Sequence, residues 1–465
     1  MFAKKLSKAL LIIFLSLFYI DNSYASEFLP HPKKISFNYD KKIVIDSSAM
    51  LDLPTDFKNK FSVAIAEFNK TISVFSKNDS RIIISCNVAN KITQDSIPKH
   101  ILEVLQKPES YWISIKDKNI QIVGSDLRGM LNGLTTLEYL LKKNSGKITQ
   151  GEILDWPDQK IRAFHFVLRI GVRLEEAKEF LAKLRYGHYN TLVFLIINWV
   201  KLDSMKELVK HKDAWSKEQF IEFINYARGL GLEVVPEIKL LTHQEKLLTN
   251  KYPNLMYNIS TYDPRKEEVY KIIFPILDEL ASLTKTKAIH IGHDEAQRGL
   301  FWKKGRMVKR RLRADEVIPA NLFLEDILNL YDYLKKKNLQ VWMWGDMLIG
   351  KGEFPQMFQR HLHGNADYIA IRPKIPKDVV ICDWHYSDKQ KDFPSSKLFA
   401  ELGHKVLGAT WHKEETIKNF SRYIANLSKN GEGMIATSWY SVKNKGWRPI
   451  EEIAAKSAEA FWNAK

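Results

Sequence analysis

The chain contains 465 residues, of which 45% are hydrophobic and 12% aromatic, and this composition supplies enough apolar side chains for two or three globular domains. Lysine and arginine outnumber aspartate and glutamate by 17, so the net charge favours anionic surfaces or polymers as partners. The sequence shows no zinc finger, RNP motif or basic dimerisation helix, so nucleic acid is not an expected partner. Cys86 and Cys382 lack metal-ligand spacing and fall in different predicted domains, so we expect no disulfide.

The amino terminus is typical of an export signal. Three lysines among the first eight residues precede the apolar segment Ala9–Ile20, which is too short to span a bilayer comfortably. Small residues at Ser23 and Ala25 follow, as at a cleavage site. We therefore predict that residues 1–25 are a signal peptide and that the mature protein is periplasmic or secreted, without a stable membrane anchor.

Residues 26–155 have the pattern of a small α/β domain. Short β-branched runs alternate with segments of helical periodicity, and Asp117-Lys118-Asn119 joins two strand-like runs in a hairpin pattern. The predicted strands are 43–45, 82–84, 111–115 and 120–123, and the predicted helices are Phe57–Phe75 and Leu127–Leu141.

From residue 156 to residue 465, strand-like and helix-like segments alternate. Alternation of this kind predicts a parallel sheet, and eight strands in one such series predict a closed (β/α)8 TIM barrel of class α/β. The predicted strands are 162–168, 190–197, 232–238, 287–291, 339–344, 378–384, 404–410 and 433–439. The predicted helices include Leu174–Leu184, Lys217–Leu230, Asn321–Lys337, Thr416–Lys429 and Ile450–Phe461.

The fourth predicted barrel strand ends in two adjacent carboxylates, Asp294 and Glu295, directly after Gly292 and His293. Barrel enzymes carry their chemistry at the carboxyl ends of the strands, so the pair is placed for catalysis. Cleavage of a glycosidic bond requires one carboxyl group that delivers a proton to the leaving oxygen, while its neighbour stays charged. We predict Glu295 as the general acid/base and Asp294 as the charged partner.

The last four predicted strands each end in a tryptophan, at Trp344, Trp384, Trp411 and Trp439, and Tyr386 follows the second of these. Residues at strand ends face the barrel mouth, where indole rings can stack on sugar rings. The pattern therefore favours a sugar pocket, although packing at the barrel rim is an alternative for each residue.

These motifs resemble glycoside hydrolase family 20, the β-N-acetylhexosaminidases, in which the fourth strand reads roughly His-x-Gly-Gly-Asp-Glu. The third strand, Val234-Val235-Pro236-Glu237-Ile238-Lys239, followed by His243, is similar to the family's Pro-Glu-Ile-Asp and Pro-Gly-His segments. The likeness extends to the small domain that precedes the barrel.

The resemblance implies an exo-acting β-N-acetylhexosaminidase that removes terminal β-linked N-acetylglucosamine or N-acetylgalactosamine with retention of configuration. The substrate's own 2-acetamido oxygen would attack the anomeric carbon. Asp294 would hold the acetamido N–H and stabilise the oxazolinium intermediate, and Glu295 would protonate the leaving group. No metal or organic cofactor is implied, and the partner is an oligosaccharide or glycan.

The resemblance also assigns sugar-binding roles. Arg162 would bind the 3- and 4-hydroxyls, although a structural salt bridge is an equal alternative for this residue. His243 would support the carboxylate pair, and Tyr386 would donate a hydrogen bond to the acetamido oxygen. Trp344, Trp384, Trp411 and Trp439 would form the pocket wall.

Several family positions are altered here. The first strand carries Phe166–Arg169 where the family has an aspartate, and the second ends in Ile196–Trp199 in place of a His-x-Thr-Asp-Asp-like segment. Lys239 replaces an aspartate, and Tyr440 follows the last tryptophan in place of a glutamate. These changes affect substrate recognition, so three alternatives stay open: a non-catalytic glycan-binding protein on the same fold, a hydrolase of another sugar without acetamide assistance, and an adhesin for anionic cell-wall polymer.

A basic segment follows the carboxylate pair and has no counterpart in the family pattern. Because loops after barrel strands lie on the catalytic face, its charges could steer an anionic glycan, with a solvated charged loop as the alternative. Its members are Lys303, Lys304, Arg306, Lys309, Arg310, Arg311 and Arg313.

Overall fold

The computed structural model describes residues 28–77, 81–91, 97–303 and 306–465. The predicted signal peptide lies outside the described residues, so cleavage and export stay predictions. Within the described ranges, no helix combines the length and the apolar character needed to cross a membrane.

The amino-terminal part of the chain forms a six-stranded mixed sheet. Alternate residues of its central strand pack on opposite faces, with Tyr111 and Ile113 in the main core and Trp112 in a smaller apolar cluster. The strands, in spatial order, are Lys34–Val44, Lys147–Asp155, Tyr111–Lys116, Asn119–Gly124, Ile83–Val88 and Met50–Asp52. The helices of this part are Thr55–Lys60, Ser62–Ser73, Lys99–Val104 and Leu127–Lys143.

The remainder of the chain forms a closed barrel of eight parallel strands, so the predicted fold class is confirmed. Each barrel strand overlaps its predicted segment. In chain order, the strands are Ile161–Val167, Thr191–Leu195, Glu233–Leu240, Ala288–Gly292, Gln340–Trp344, Val380–Trp384, Val406–Thr410 and Gly431–Thr437.

Amphipathic helices surround the barrel and bury their apolar sides against it. Lys217–Gly229, for example, begins after Ser216 in a capping box with Gln219, and it buries Phe220, Phe223 and Ile224. The other long helices of the barrel are Leu174–Tyr186, Glu267–Thr284, Ala320–Lys335, Pro394–Glu401, Glu414–Ala425 and Arg448–Trp462.

Arg162 joins the two domains at the base of the barrel. It lies near the beginning of the first barrel strand, is 1% exposed, and forms an ion pair with Glu109 of the amino-terminal domain. Its guanidinium also donates hydrogen bonds to the backbone oxygens of His188 (2.9 Å) and Gln159 (2.8 Å).

The predicted contact between Arg162 and the sugar is therefore corrected, and the salt-bridge alternative describes this residue. A strand rises about 3.3 Å per residue, so Arg162 lies roughly 15 Å along the strand from the end that faces the mouth. The strand–helix alternation predicted this strand and the family motif suggested the sugar contact. The partner of Arg162 is decided instead by Glu109, which belongs to the amino-terminal domain.

Candidate active site

A cavity of about 680 Å³ opens at the carboxyl ends of the barrel strands. It brings together eight of the nine predicted site residues, and Arg162 is the exception. The eight are His243, Asp294, Glu295, Trp344, Trp384, Tyr386, Trp411 and Trp439. A cavity of this size is in the usual range for small-ligand sites.

The end of the fourth strand turns sharply to present both carboxylates. Gly292, His293 and Glu295 have positive φ values of 78°, 71° and 53°, a conformation that residues other than glycine adopt at a cost. The His293 ring offsets that cost because its Nε2 lies 2.9 Å from the buried carboxylate of Asp326, away from the cavity. The histidine in place of the family's glycine is therefore a structural anchor for the turn.

Asp346 fixes the same turn from the fifth strand. Its carboxylate accepts hydrogen bonds from the backbone N–H of Glu295 (3.0 Å) and from Trp384 Nε1 (3.1 Å), and it lies 2.6 Å from His363 Nδ1. One buried carboxylate thus holds both the proposed acid and a wall tryptophan in position. This role of Asp346 was not predicted, although the residue directly follows the Trp344-Gly345 strand end.

Lys239 occupies the centre of the site, beside Asp294. Its Nζ lies 3.0 Å from Asp294 Oδ1, 3.2 Å from Asp294 Oδ2 and 3.0 Å from Glu237 Oε1. It is also 5.5 Å and 5.4 Å from the ring centroids of Trp344 and Trp439, within the range of a cation–π contact. The lysine that departs from the family motif therefore contacts the carboxylate to which the family assigns the acetamido group.

His243 is the second basic partner of Asp294, with Nε2 3.3 Å from Oδ2. Burial alone would raise the pKa of the Asp294 carboxyl, but Lys239 and His243 outweigh burial and hold that pKa well below its usual range. In turn, although burial lowers the pKa of His243, contact with Asp294 raises it above the usual value of a histidine. Asp294 is therefore charged at neutral pH.

Glu237 supports Lys239 from the interior of the barrel, where the carboxylate has no exposed surface. It accepts a hydrogen bond from Trp344 Nε1 (3.2 Å), and His165 Nε2 lies 2.7 Å from its other oxygen. Burial opposes ionisation of Glu237, but Lys239 and nearby histidines, including His290, more than compensate and lower its pKa. Burial also lowers the pKa of His290 to about 4, so this ring is neutral at pH 7 and acts as a cation on Glu237 only in acid.

Glu295 contacts two cations of the hairpin that follows it. Its carboxylate lies 2.5 Å from Arg298 Nη1 and 3.7 Å from Lys309 Nζ. The hairpin consists of the antiparallel strands Arg298–Lys303 and Arg306–Arg311. Of the basic segment, Lys304 lies outside the described residues, as do the side chains of Lys303 and Arg306.

The aromatic residues of strands five to eight form one connected wall. Trp439 Nε1 donates a hydrogen bond to the Tyr386 hydroxyl (3.0 Å), and the ring of Tyr386 lies 4.8 Å from that of Trp384 and 5.9 Å from that of Trp411. Burial raises the pKa of Tyr386, so its hydroxyl keeps the proton. Trp411 Nε1 is buried and has no hydrogen-bond partner among the described residues.

Further cavity residues were not predicted. Arg169, from the end of the first strand, lines the cavity, and its Nε is buried without a hydrogen-bond partner among the described residues. Burial lowers the pKa of Arg169. Phe358, Arg360 and His361 reach the cavity from the long loop after the fifth strand. No sequence motif marks these loop residues, whereas Arg169 could have been found as the first charged residue after the first strand.

No group of three or more histidine, cysteine or carboxylate side chains suited to a metal ion occurs in the described part of the chain. Both cysteines are buried and free.

A parallel barrel that presents two adjacent carboxylates in an aromatic-walled cavity has the architecture of a glycoside hydrolase. Two family models match the chain: "Glycosyl hydrolase family 20, catalytic domain" over residues 198–412, and "Glycosyl hydrolase family 20, domain 2" over residues 26–156. The chain therefore belongs to glycoside hydrolase family 20.

Individual relatives are distant. The chain is 23% identical over 316 residues both to a lacto-N-biosidase of Bifidobacterium bifidum and to a β-hexosaminidase of Vibrio furnissii. These matches cover 65% and 59% of this chain, but only 26% and 48% of the relatives, so the chain spans half or less of their length.

Among solved structures, the chain is similar to the family 20 exo-β-N-acetylglucosaminidase of Vibrio harveyi in complex with N-acetylglucosamine. The TM-score is 0.66 at 17% identity, covering 94% of this chain and 74% of that one. At this identity the similarity establishes the shared fold.

Proposed function

We propose that the protein is an exo-acting β-N-acetylhexosaminidase that cleaves terminal β-linked N-acetylglucosamine or N-acetylgalactosamine from a glycan. The observation that carries the proposal is that Asp294 and Glu295 line the same cavity as Trp344, Trp384 and Trp439. The exo-acting mode is supported by the similar V. harveyi protein, which is described as exo-acting. We also propose export of the mature protein, on the basis of the amino-terminal sequence pattern.

In the proposed reaction, Glu295 donates its proton to the glycosidic oxygen as the bond to the anomeric carbon breaks. The acetamido oxygen of the substrate attacks that carbon, and Asp294 accepts a hydrogen bond from the acetamido N–H. Water then opens the oxazolinium ring while Glu295 takes back a proton, so the configuration is retained. The lowered pKa of Asp294 supports its part, because a carboxylate that stabilises a cation must be ionised.

Lys239 changes the electrostatics of this step. Because its ammonium contacts both oxygens of Asp294, the carboxylate shares its charge between Lys239 and the substrate. The same cation lies near the positive oxazolinium, which reduces the net stabilisation that Asp294 provides. We therefore expect turnover to be slower than in a site that has an aspartate in place of Lys239.

The non-catalytic glycan-binding protein is the second candidate function, and one observation favours it. Each member of the carboxylate pair contacts two basic side chains, Asp294 through Lys239 and His243, and Glu295 through Arg298 and Lys309. A site that only binds has no need for a carboxyl group that can release and regain a proton. Such a protein would bind glycans through the aromatic wall and release no product.

Hydrolysis of 4-nitrophenyl N-acetyl-β-glucosaminide and its galactosamine epimer distinguishes these candidates. We expect turnover by the wild type and a loss of about 10²–10⁴-fold in kcat for Glu295→Gln, since this variant cannot supply the proton. The matched control is Glu401→Gln, which makes the same change on an exposed helix end and should leave the rate unaltered.

Two other results would decide against the proposal. Absence of turnover on both substrates, combined with binding of N-acetylglucosamine, would favour the glycan-binding protein. Turnover that resists a thiazoline analogue of the oxazolinium would favour a hydrolase that works without acetamide assistance.

A further inference from the structure

A second cleft opens from the active-site cavity on the side of Glu295. It has a volume of about 280 Å³ and shares three lining residues with the cavity. No carboxylate side chain is among its lining residues in the described part of the chain. We call it the basic cleft, after its six cationic residues: Arg298, Lys309, Arg310, Arg311, Lys351 and Arg360.

Protein carboxylates neutralise only part of this charge. Glu295 contacts Arg298 and Lys309, and Glu316 accepts two hydrogen bonds from Arg310 at 2.8 and 2.9 Å. The remaining three cations form no ion pair with a carboxylate of the described ranges, and Arg311 bonds instead to the neutral Gln297 at 3.3 Å. Six cations thus share two carboxylates.

Such a concentration of like charge is electrostatically unfavourable. Each cation repels the others, and a concave protein wall strengthens the positive potential relative to a flat surface. An anion in the cleft would offset this repulsion. Arginine suits this role because its planar fork of donors matches the geometry of carboxylate, sulfate and phosphate groups.

We propose that the basic cleft binds an anionic group on the aglycone, the part of the substrate that leaves when the glycosidic bond is cleaved. This inference rests on the proposed function, in which Glu295 protonates the leaving oxygen. The aglycone therefore lies on the Glu295 side of the cavity, where the basic cleft opens. Arg298 and Lys309 contact Glu295 and also line the cleft, so the cleft lies directly beyond the proton donor.

The size of the cleft limits the ligand. Its volume of about 280 Å³ is just below the range of pockets for drug-sized ligands, so it accommodates one charged residue better than an extended polymer segment. The substrate class is therefore a hexosaminide linked to an acidic residue, such as a uronic acid or a sulfated or phosphorylated sugar.

A pair of disaccharides tests this inference, one with N-acetylglucosamine β-linked to glucuronic acid and one with the same sugar linked to neutral glucuronamide. At low salt we expect the wild type to favour the acid at least about tenfold in kcat/KM, and the preference should shrink as salt screens the charges. The double variant Arg311→Gln/Lys351→Gln should lower the preference about tenfold. The control Lys70→Gln/Lys405→Gln removes two exposed lysines outside both cavities and should preserve it.

Calorimetric titration of the wild type with free glucuronate and with glucuronamide makes the test independent of turnover. Glucuronate binding that the Arg311→Gln/Lys351→Gln variant loses would support the cleft, even if no hexosaminide were hydrolysed. Equal kcat/KM for the two disaccharides, together with no glucuronate binding, would overturn the cleft and leave the hexosaminidase function intact. Titration with glucose 6-sulfate and glucose 6-phosphate then shows whether the cleft binds a carboxylate, a sulfate or a phosphate group most tightly.

Discussion

A buried ion pair occurs at each end of the barrel, but the pair at the base is structural and the pair at the mouth belongs to the candidate active site. At the base, the guanidinium of Arg162 is 1% exposed and contacts Glu109 and three backbone oxygens. At the mouth, the buried ammonium of Lys239 contacts Glu237 and Asp294, but these groups border a cavity of about 680 Å³. A buried ion pair therefore indicates a functional site only where part of its hydrogen-bonding capacity faces open space.

The largest effect on stability is expected from a matched pair of substitutions at the two ends of the first barrel strand. Arg162→Met removes one partner of Glu109, which keeps Arg128 (3.5 Å), and leaves the buried backbone oxygens of His188 and Gln159 without their donor. Together these losses should lower the free energy of unfolding by about 3–5 kcal/mol. Arg169→Met changes a half-buried residue that lines the open cavity, and should change stability by less than about 1 kcal/mol. Urea unfolding measures both values.

Kinetic measurements on Arg162→Met and Arg169→Met provide a second comparison of the two ends of the strand. The folded Arg162→Met enzyme should keep the wild-type kcat/KM, whereas Arg169→Met, which alters the cavity wall, should change KM. A loss of activity in Arg162→Met without loss of folded protein would contradict the separation of the two ends.

Lys239→Met tests the ion pairs at the mouth. Glu237 keeps His165 and Trp344 as partners, and Asp294 keeps His243, so the expected destabilisation is about 3 kcal/mol, at the lower end of the range for a broken buried pair. Denaturant unfolding at pH 7 measures it, with the exposed Lys405→Met as the control. An unchanged stability would show that the lysine only fills space.

The smallest effect concerns pH and His243. Contact with Asp294 raises the pKa of His243 above 6.5, so its contribution to stability is fully present below pH 6.5 and is lost as pH rises through the raised pKa. The Tm difference between the wild type and His243→Gln should therefore be larger at pH 6 than at pH 9. Thermal scans at both pH values measure it, and an equal or reversed difference would argue against a charged His243.

Much of the fold could be predicted from the sequence because it depends on local patterns. Alternating apolar strands and amphipathic helices define the barrel, and the rule that strand ends face the mouth placed Asp294, Glu295 and the four tryptophans in one cavity. These inferences need only the position of a residue within its own strand.

The errors and omissions concern contacts between distant segments. Arg162 matched a family motif, but its partner Glu109 belongs to another domain. Lys239 was recognised as a departure from the motif, yet its contact with Asp294, 55 positions away, depends on the register of two neighbouring strands. Similarly, the charges of the basic segment were evident, but the cleft they form with Arg360 and Lys351 depends on a loop from the fifth strand.

The central claim is that Asp294 acts together with the acetamido group of the substrate, despite the contact with Lys239. The most direct test compares kcat/KM for 4-nitrophenyl N-acetyl-β-glucosaminide with that for 4-nitrophenyl β-glucoside, which has a hydroxyl in place of the acetamido group. We expect at least about a thousandfold preference for the acetamido substrate, since the attacking group is missing from the other substrate. Comparable rates on the two substrates would contradict it.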